Sequence, residues 1–357
     1  MARKRKRLSW LLALLSRLII IPAAAALIIS YISIYINPVK FTLPLFFGLY
    51  FVPLVLLNLL ILLIGIIRRS TAVWLTFIAL LPSILYAELF VRWGEVQKEE
   101  EGIALKICTY NVGLFAQGEG QSRTASFEGI KKFILEENPA IVCMQEFQIS
   151  NASLIAKEFP EYPYQYYHLF NGTRRKFGNL TLSKLPIINS GKITFKRSTN
   201  LCIYTDIEHY GKTIRVYNTH LESHSISFTA LIQKIRENEK IREEIYQVHD
   251  KVASTFKRRA LQVDTIARHM HQSPIPAIIC GDFNDTPMSY TYRNLISGKK
   301  DSFRHSGKGF SATYSLLWPL LRIDYIFYPA PFWSLTHNSP KIDYSDHYPV
   351  ISQLIIP

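Results

Sequence analysis

Ile278-Ile279-Cys280-Gly281-Asp282-Phe283-Asn284 is an apolar strand that stops abruptly at ionisable and amide residues. The same arrangement recurs along the chain. Ile107-Cys108-Thr109-Tyr110 runs into Asn111, Ile141-Val142-Cys143-Met144-Gln145 into Glu146, and Val216-Tyr217-Asn218-Thr219 into His220. Near the C-terminus stand Ile323-Asp324-Tyr325 and Ser345-Asp346-His347. Strand ends gather at one edge of a sheet, so these six places can bring three Asp, one Glu, two Asn and two His into one rigid cleft. Any one of them is weak, because an acidic residue after a strand is ordinarily a turn residue or a helix cap. Their repetition carries the reading.

Around these places, residues 104–357 read as short β-rich runs between turns and helices. Strands are expected over 104–110, 140–144, 179–183, 201–207, 213–218, 277–280, 323–328 and 350–355. Several are apolar at consecutive positions, as expected when both faces of a sheet are covered. Phe127, Ile130 and Ile134 share one face of a helix expected over 127–137, and residues 228–270 contain no Pro or Gly and have helical spacing. This mixture indicates a layered α/β or α+β domain. Cys108, Cys143, Cys202 and Cys280 each lie inside an apolar run with no metal-ligand spacing, so they are expected as buried core residues, with a disulfide as the competing reading.

The first hundred residues differ. Residues 18–36, 41–67 and 71–91 form three apolar stretches with no acidic residue until Glu88, each near or above the length of a transmembrane helix. Three spans are therefore expected over 1–94, with a polar linker at 95–103 and a catalytic domain at 104–357. A cleaved signal peptide, encouraged by Ala23-Ala24-Ala25-Ala26, fits less well because further apolar stretches follow. Arg3-Lys4-Arg5-Lys6-Arg7 and Arg68-Arg69 place the N-terminus in the cytoplasm and everything after Val91 on the outer side of a plasma or inner membrane. The chain carries 41 Lys+Arg against 27 Asp+Glu, a formal charge of +14. Residues 1–100 hold 11 basic and 4 acidic residues, a net of +7, which is half of that excess. The remainder is only mildly basic, compatible with an anionic substrate without being diagnostic of nucleic acid.

In this order the motifs resemble the endonuclease/exonuclease/phosphatase superfamily, across residues 105–355. Its most specific pieces here are Gln145-Glu146, Gly281-Asp282-Phe283-Asn284 and Ser345-Asp346-His347-Tyr348-Pro349-Val350; Gly178-Asn179-Leu180-Thr181-Leu182-Ser183 also looks like the family's central strand. The resemblance implies a four-layered α/β/β/α sandwich and a Mg²⁺-dependent phosphoester hydrolase, with Mn²⁺ as a substitute. Glu146 and Asn111 match metal-holding positions, and Asp346 lies near the metal in relatives. Asp282 with Asn284 matches the pair that orients and deprotonates water, and His347 matches a histidine acting on the phosphate or in proton transfer. Asp324 is expected to pair with that imidazole, and His220 matches a phosphate-stabilising histidine. A hard divalent cation suits this chemistry because it neutralises charge building on an already anionic phosphoryl group.

The implied substrate is a nucleic acid, a nucleotide or a phospholipid headgroup, the last as in sphingomyelinases. A catalytically silent, membrane-tethered binding module is the alternative; loss of a metal ligand or of the Asp/His pair would favour it, and all matched positions are intact. A conduit is disfavoured because the apolar stretches lack interior charges. Between His220 and Asp282, residues 223–259 look longer than a minimal connection. Lys257-Arg258-Arg259 there could meet a polyanion or a membrane surface, but a solvated helical hairpin balanced by Glu237, Glu239, Glu243 and Glu244 is the preferred reading; Arg174-Arg175-Lys176 could likewise meet phosphates, but ordinary loop charge is preferred.

Overall fold

The structure, a computed structural model, describes residues 2–94, 101–116, 118, 120–223 and 241–357. In chain order the strands are β1 (Val91–Arg92), β2 (Ile103–Asn111), β3 (Ile141–Ile149), β4 (Tyr164–Asn171) and β5 (Lys176–Ser183). They continue as β6 (Ile187–Thr194), β7 (Leu201–His209), β8 (Lys212–His220), β9 (Ala277–Asp282) and β10 (Lys299–Asp301). The last are β11 (Gly309–Phe310), β12 (Asp324–Pro329), β13 (Trp333–Asn338) and β14 (Val350–Ile356). One six-stranded sheet has the order β13-β14-β2-β3-β5-β4, a second β10-β12-β9-β8-β7-β6, and β1 pairs with β11.

The sheets pack face to face, and period-two alternation distributes each apolar run between two cores. On β9, Ile278 and Cys280 join the inter-sheet core with Leu105, Ile107, Ile141 and Cys143, whereas Ala277 and Ile279 face outward. The outer face of the first sheet is covered through Ile130 and Ile134 of the helix Arg123–Glu137. Val263, Ile266 and Met270 of the helix Ile241–His271 cover the second. This mixed α/β sandwich agrees with the sequence reading. All four cysteines are buried and free, so the disulfide reading is set aside. The first part of the expected helical stretch 228–270 lies outside the described residues.

The N-terminal region departs from three straight spans. No single helix among the described residues is long and apolar enough to cross a membrane. The first stretch lies on the helix Ala2–Ser33; the second is split at Tyr50 into Leu43–Leu49 and Phe51–Ile67, bent by 72°, and only together does this pair pass as a span. The third breaks into Val73–Leu80, Ser83–Tyr86 and a short 3₁₀ turn, with Pro82, which lacks a backbone N–H, at the break.

These helices also pack on the second sheet. Ala24, Leu27, Tyr31, Phe51 and Leu80 share one core with Phe283, Met288, Tyr292 and Phe327. Ser33 Oγ donates to Met288 O at 3.2 Å, and Asn37 Nδ2 to Tyr290 Oη at 3.2 Å. Helix Leu43–Leu49 approaches so closely that a Cβ on Gly48 would lie 2.3 Å from Ser33 Oγ and 2.5 Å from Met288 O. Gly48→Val is thus expected to cost about 1–3 kcal/mol through overpacking against backbone. Thermal unfolding of the full chain in detergent measures this, and an unchanged midpoint would show that the helices do not bear on the 283–292 segment.

Candidate active site

Strand direction explains why six distant places meet. Strands β2 and β3 run parallel, with Asn111 in register with Gln145, and antiparallel β14 begins beside them with Val350 opposite Thr109. In the second sheet β8 and β9 are parallel, with His220 level with Asp282, and antiparallel β12 begins with Asp324 opposite Asp282. Hence the last residues of β2, β8 and β9, the bulge of β3 just past Gln145, the first residue of β12 and the turn before β14 share one edge.

Local backbone then aims the side chains. A bulge between Met144 and Phe147 leaves Glu146 at φ +51°, turning its carboxylate out of the ladder. Gly281 has φ +132° and approaches so closely that a Cβ there would lie 1.9 Å from Thr219 O. Glycine is therefore required just before Asp282. Asn284, at φ +52°, folds back so that its backbone N–H and Nδ2 donate to Asp282 Oδ1 and Oδ2 at 2.8 and 3.0 Å.

All eight residues singled out from the sequence lie along this edge. Asn111 Nδ2 donates to Asp282 Oδ2 at 2.9 Å and Glu146 Oε1 at 3.3 Å. His220 Nε2, buried without a hydrogen-bond partner, stands 3.5 Å from Glu146 Oε1 and 3.7 Å from Asp282 Oδ2. His347 Nε2 lies 3.8 Å from Asp282 Oδ2, and its Nδ1 meets Asp324 Oδ2 at 2.9 Å. Ser345 Oγ, by donating to Asn111 O at 2.8 Å, ties the turn carrying Asp346 and His347 to the end of β2.

Charge in this edge is concentrated and poorly hydrated. Burial pushes the Asp282 carboxyl up, with the His347 imidazolium pulling it back and Asp324 adding to the rise. Burial also raises Asp346, and Glu146 and Asp282 raise it further. For His347, burial disfavours the imidazolium, but Asp324 and Asp282 outweigh it and lift the pKa to about 10. Among the described residues neither Glu146, Asp282 nor Asp346 has a Lys or Arg ion-pair partner. Crowded hard-oxygen donors with no Lys or Arg paired to them, and with His347 as the neighbouring cation, fit a divalent cation.

Asp282, Asp324 and His347 also offer three ligand atoms within 4.8 Å of one another. The 2.9 Å Asp324–His347 hydrogen bond accounts for that closeness and occupies Nδ1, so a proton-handling pair describes it better than a metal site. One detail differs from the expectation. The Asn111 amide oxygen accepts from Gly113 N at 3.0 Å, so its nitrogen faces the carboxylates, and ligation through oxygen requires the amide to turn.

Several residues that shape the site were not singled out. Gln145, Asn179 and Asn218 form a buried network that ties the sheets together beneath Glu146; Gln145 Nε2 donates to Asn218 Oδ1 at 2.8 Å and Asn179 Nδ2 to Asn218 O at 3.1 Å. Gln145 and Asn179 stood in quoted motifs, and a polar residue inside an apolar strand was the available signal. Arg259 belongs to a basic cluster preferred as solvated, yet it is fully buried; it pairs with Asp285 at 3.1 Å and donates to Glu222 O at 2.8 Å. It thereby anchors the turn after Asn284 to the helix Ile241–His271. Arg174 and Arg175 are exposed. Thr313 Oγ1 accepts from Asp324 N at 3.1 Å, and Tyr314 packs edge-on against His347 with ring centroids 5.2 Å apart.

No curated protein matches the chain significantly in sequence. The fold is similar to a solved endonuclease/exonuclease/phosphatase from Beutenbergia cavernae, at 16% identity over 71% of this chain and 72% of that one (TM-score 0.53). It is also similar to an endonuclease/exonuclease/phosphatase from Bacteroides vulgatus, at 17% identity over 71% and 100% (TM-score 0.53). D. rerio TDP2, solved in complex with single strand DNA product, matches at 17% identity over 71% and 99% (TM-score 0.52). Residues 5–89 match a model described as a domain of unknown function, DUF8431. Residues 108–347, well over half the chain and carrying all eight edge residues, match the model of the Endonuclease/Exonuclease/phosphatase family. The chain belongs to that family of phosphoester hydrolases.

Proposed function

We propose that the protein is a Mg²⁺-dependent phosphodiesterase, with Mn²⁺ as a substitute ion. The observation that carries this reading is the single Asn111 amide bonded to both Glu146 and Asp282, with His220 and His347 beside them. Glu146, Asp346 and, once its amide has turned, Asn111 would hold the ion, which when bound supplies a Lewis acid for the phosphoryl oxygens. Asp282, oriented by Asn284, accepts a proton from the attacking water. His347, kept protonated by Asp324, faces the phosphoryl group as a cation and proton donor, and His220 Nε2 is free to donate to a second phosphoryl oxygen. Intact partners around each of these groups disfavour the silent binding module.

The test is turnover by the full chain of DNA, RNA, sphingomyelin and inositol phosphates with Mg²⁺, EDTA or Mn²⁺. Hydrolysis of one class that EDTA abolishes and either ion restores is expected; hydrolysis indifferent to EDTA would refute the assignment.

Membrane association through the N-terminal helices is part of the proposal. It is supported by large apolar side chains left facing outward, such as Ile67 at 72% and Leu85 at 78% exposure. The basic residues at 3–7 and 68–69 argue for a cytoplasmic N-terminus and an outward catalytic domain. A reporter enzyme fused after Val91 should then be active only outside the cytoplasm, and cytoplasmic activity would reverse the orientation.

A further inference from the structure

The loop beside the catalytic edge is apolar in a way that catalysis does not require. Ser315-Leu316-Leu317-Trp318-Pro319-Leu320 projects from a base closed by the Thr313 and Tyr314 N–H groups, both of which donate to Leu321 O at 3.0 and 3.2 Å. That base is fixed to the site: Ser315 N and Oγ both donate to Asp346 O at 2.9 Å, and Tyr314 lies against His347. Leu316 is nonetheless 62% exposed, and Leu317, Trp318 and Leu320 are exposed as well.

This lip continues into the N-terminal helices. Ser311 N donates to Phe90 O at 3.0 Å, Phe310 pairs with Val91 in the β1–β11 ladder, and the Phe310 ring meets Trp318 edge-on with centroids 6.1 Å apart. Trp93, two residues beyond Val91, is 92% exposed. Ile84, Leu85, Trp93 and Phe310 are thus exposed along the segment that leads to the lip, and the Phe310–Trp318 and Tyr314–His347 contacts join that segment to the edge. Lys341, whose ammonium lies over the Trp318 ring, adds a cation to the lip.

We propose that this lip lies in the surface of a lipid bilayer, and that the phosphodiester reaching His347 belongs to a membrane phospholipid. Aromatic rings with a neighbouring cation suit the headgroup level, and leucines suit the acyl boundary below it. A polyanion such as DNA could stack on Trp318, but Leu316, Leu317 and Leu320 offer it nothing. The substrate part of the proposal rests on the hydrolase reading; the docking part does not.

Two measurements on the full chain in phosphatidylcholine/phosphatidylglycerol vesicles decide it. Because the native cysteines are buried, Leu316→Cys can carry a single environment-sensitive NBD label, with Tyr210→Cys, on an exposed hairpin, as the control. The label at 316 should brighten and shift to the blue on reconstitution while that at 210 stays water-like; a water-like signal at 316 overturns docking. In the second measurement, Leu316→Ser/Leu320→Ser should lower phospholipid hydrolysis about tenfold or more. It should leave hydrolysis of soluble bis(p-nitrophenyl) phosphate within about twofold. Equal loss on both substrates, or on neither, overturns the lipid assignment. Wild-type turnover of the soluble diester alone also overturns it while sparing the hydrolase reading. Turnover of neither removes the hydrolase reading and the lipid substrate together, and leaves docking to the label.

Discussion

Asp282→Asn is expected to lower kcat/KM by about a thousandfold or more without loss of fold. The carboxylate sits where both sheets end: it accepts from Asn111, from Asn284 N and Nδ2, and faces His220 and His347 within 4 Å. An amide keeps the volume and, through its oxygen, the Asn284 N–H bond, but it cannot take a proton from water. Stability should move the other way or not at all. Burial and the neighbouring Asp324 charge already disfavour the ionised form, so a neutral amide relieves a strained arrangement kept for function. Steady-state kinetics on the hydrolysed substrate, beside a thermal melt, checks both halves. A near-wild-type rate would remove Asp282 from the chemistry; lost activity with a collapsed melt would make it structural.

How much of this was legible in the sequence follows from where each strand lies. The eight expected strands are β2, β3, β5, β7, β8, β9, β12 and β14, and they fill every interior position of the two sheets. Central strands are covered on both faces and so must be apolar at successive positions, which is visible in one dimension. The four sheet strands that were not expected, β4, β6, β10 and β13, are the four edges. An edge strand is half solvated and tolerates polar runs such as Asn189-Ser190-Gly191-Lys192 in β6, which read as loop. The candidate site was legible because its residues lie at or just past the ends of the expected runs, although β3 continues to Ile149, beyond the expected 140–144, and carries Glu146 at a bulge inside it.

What the sequence hid were relations between segments far apart in the chain. Arg259 looked like one of three surface bases, and only the fold brings Asp285 to it and removes both from water. Hydropathy made residues 18–91 look like three independent spans, yet it cannot register that Ser33, Asn37 and Gly48 close upon Met288 and Tyr290, just past the catalytic turn. The apolar helices and β9 share a core. The N-terminal helices therefore pack against Phe283, the residue next to Asp282.

Asp324→Asn and His347→Ala should each reduce turnover by about a hundred- to a thousandfold, and the double variant should be no slower than the slower single one. The expectation follows from reach. Asp324 is buried at the start of β12 with its N–H held by Thr313, and Oδ2 meets His347 Nδ1 at 2.9 Å. Imidazole Nε2, the atom on the opposite side of the ring, is the one that faces Asp282. In this arrangement Asp324 acts through the imidazole, fixing its orientation and keeping it cationic, so nothing remains for it to do once the ring is gone. Dependence of this kind appears as non-additivity in a double-mutant cycle, whereas independent contributions multiply. If the two losses multiply, Asp324 acts on the reaction by a route other than His347, and the triad of Asp282, Asp324 and His347 has to be reconsidered as a set of metal ligands.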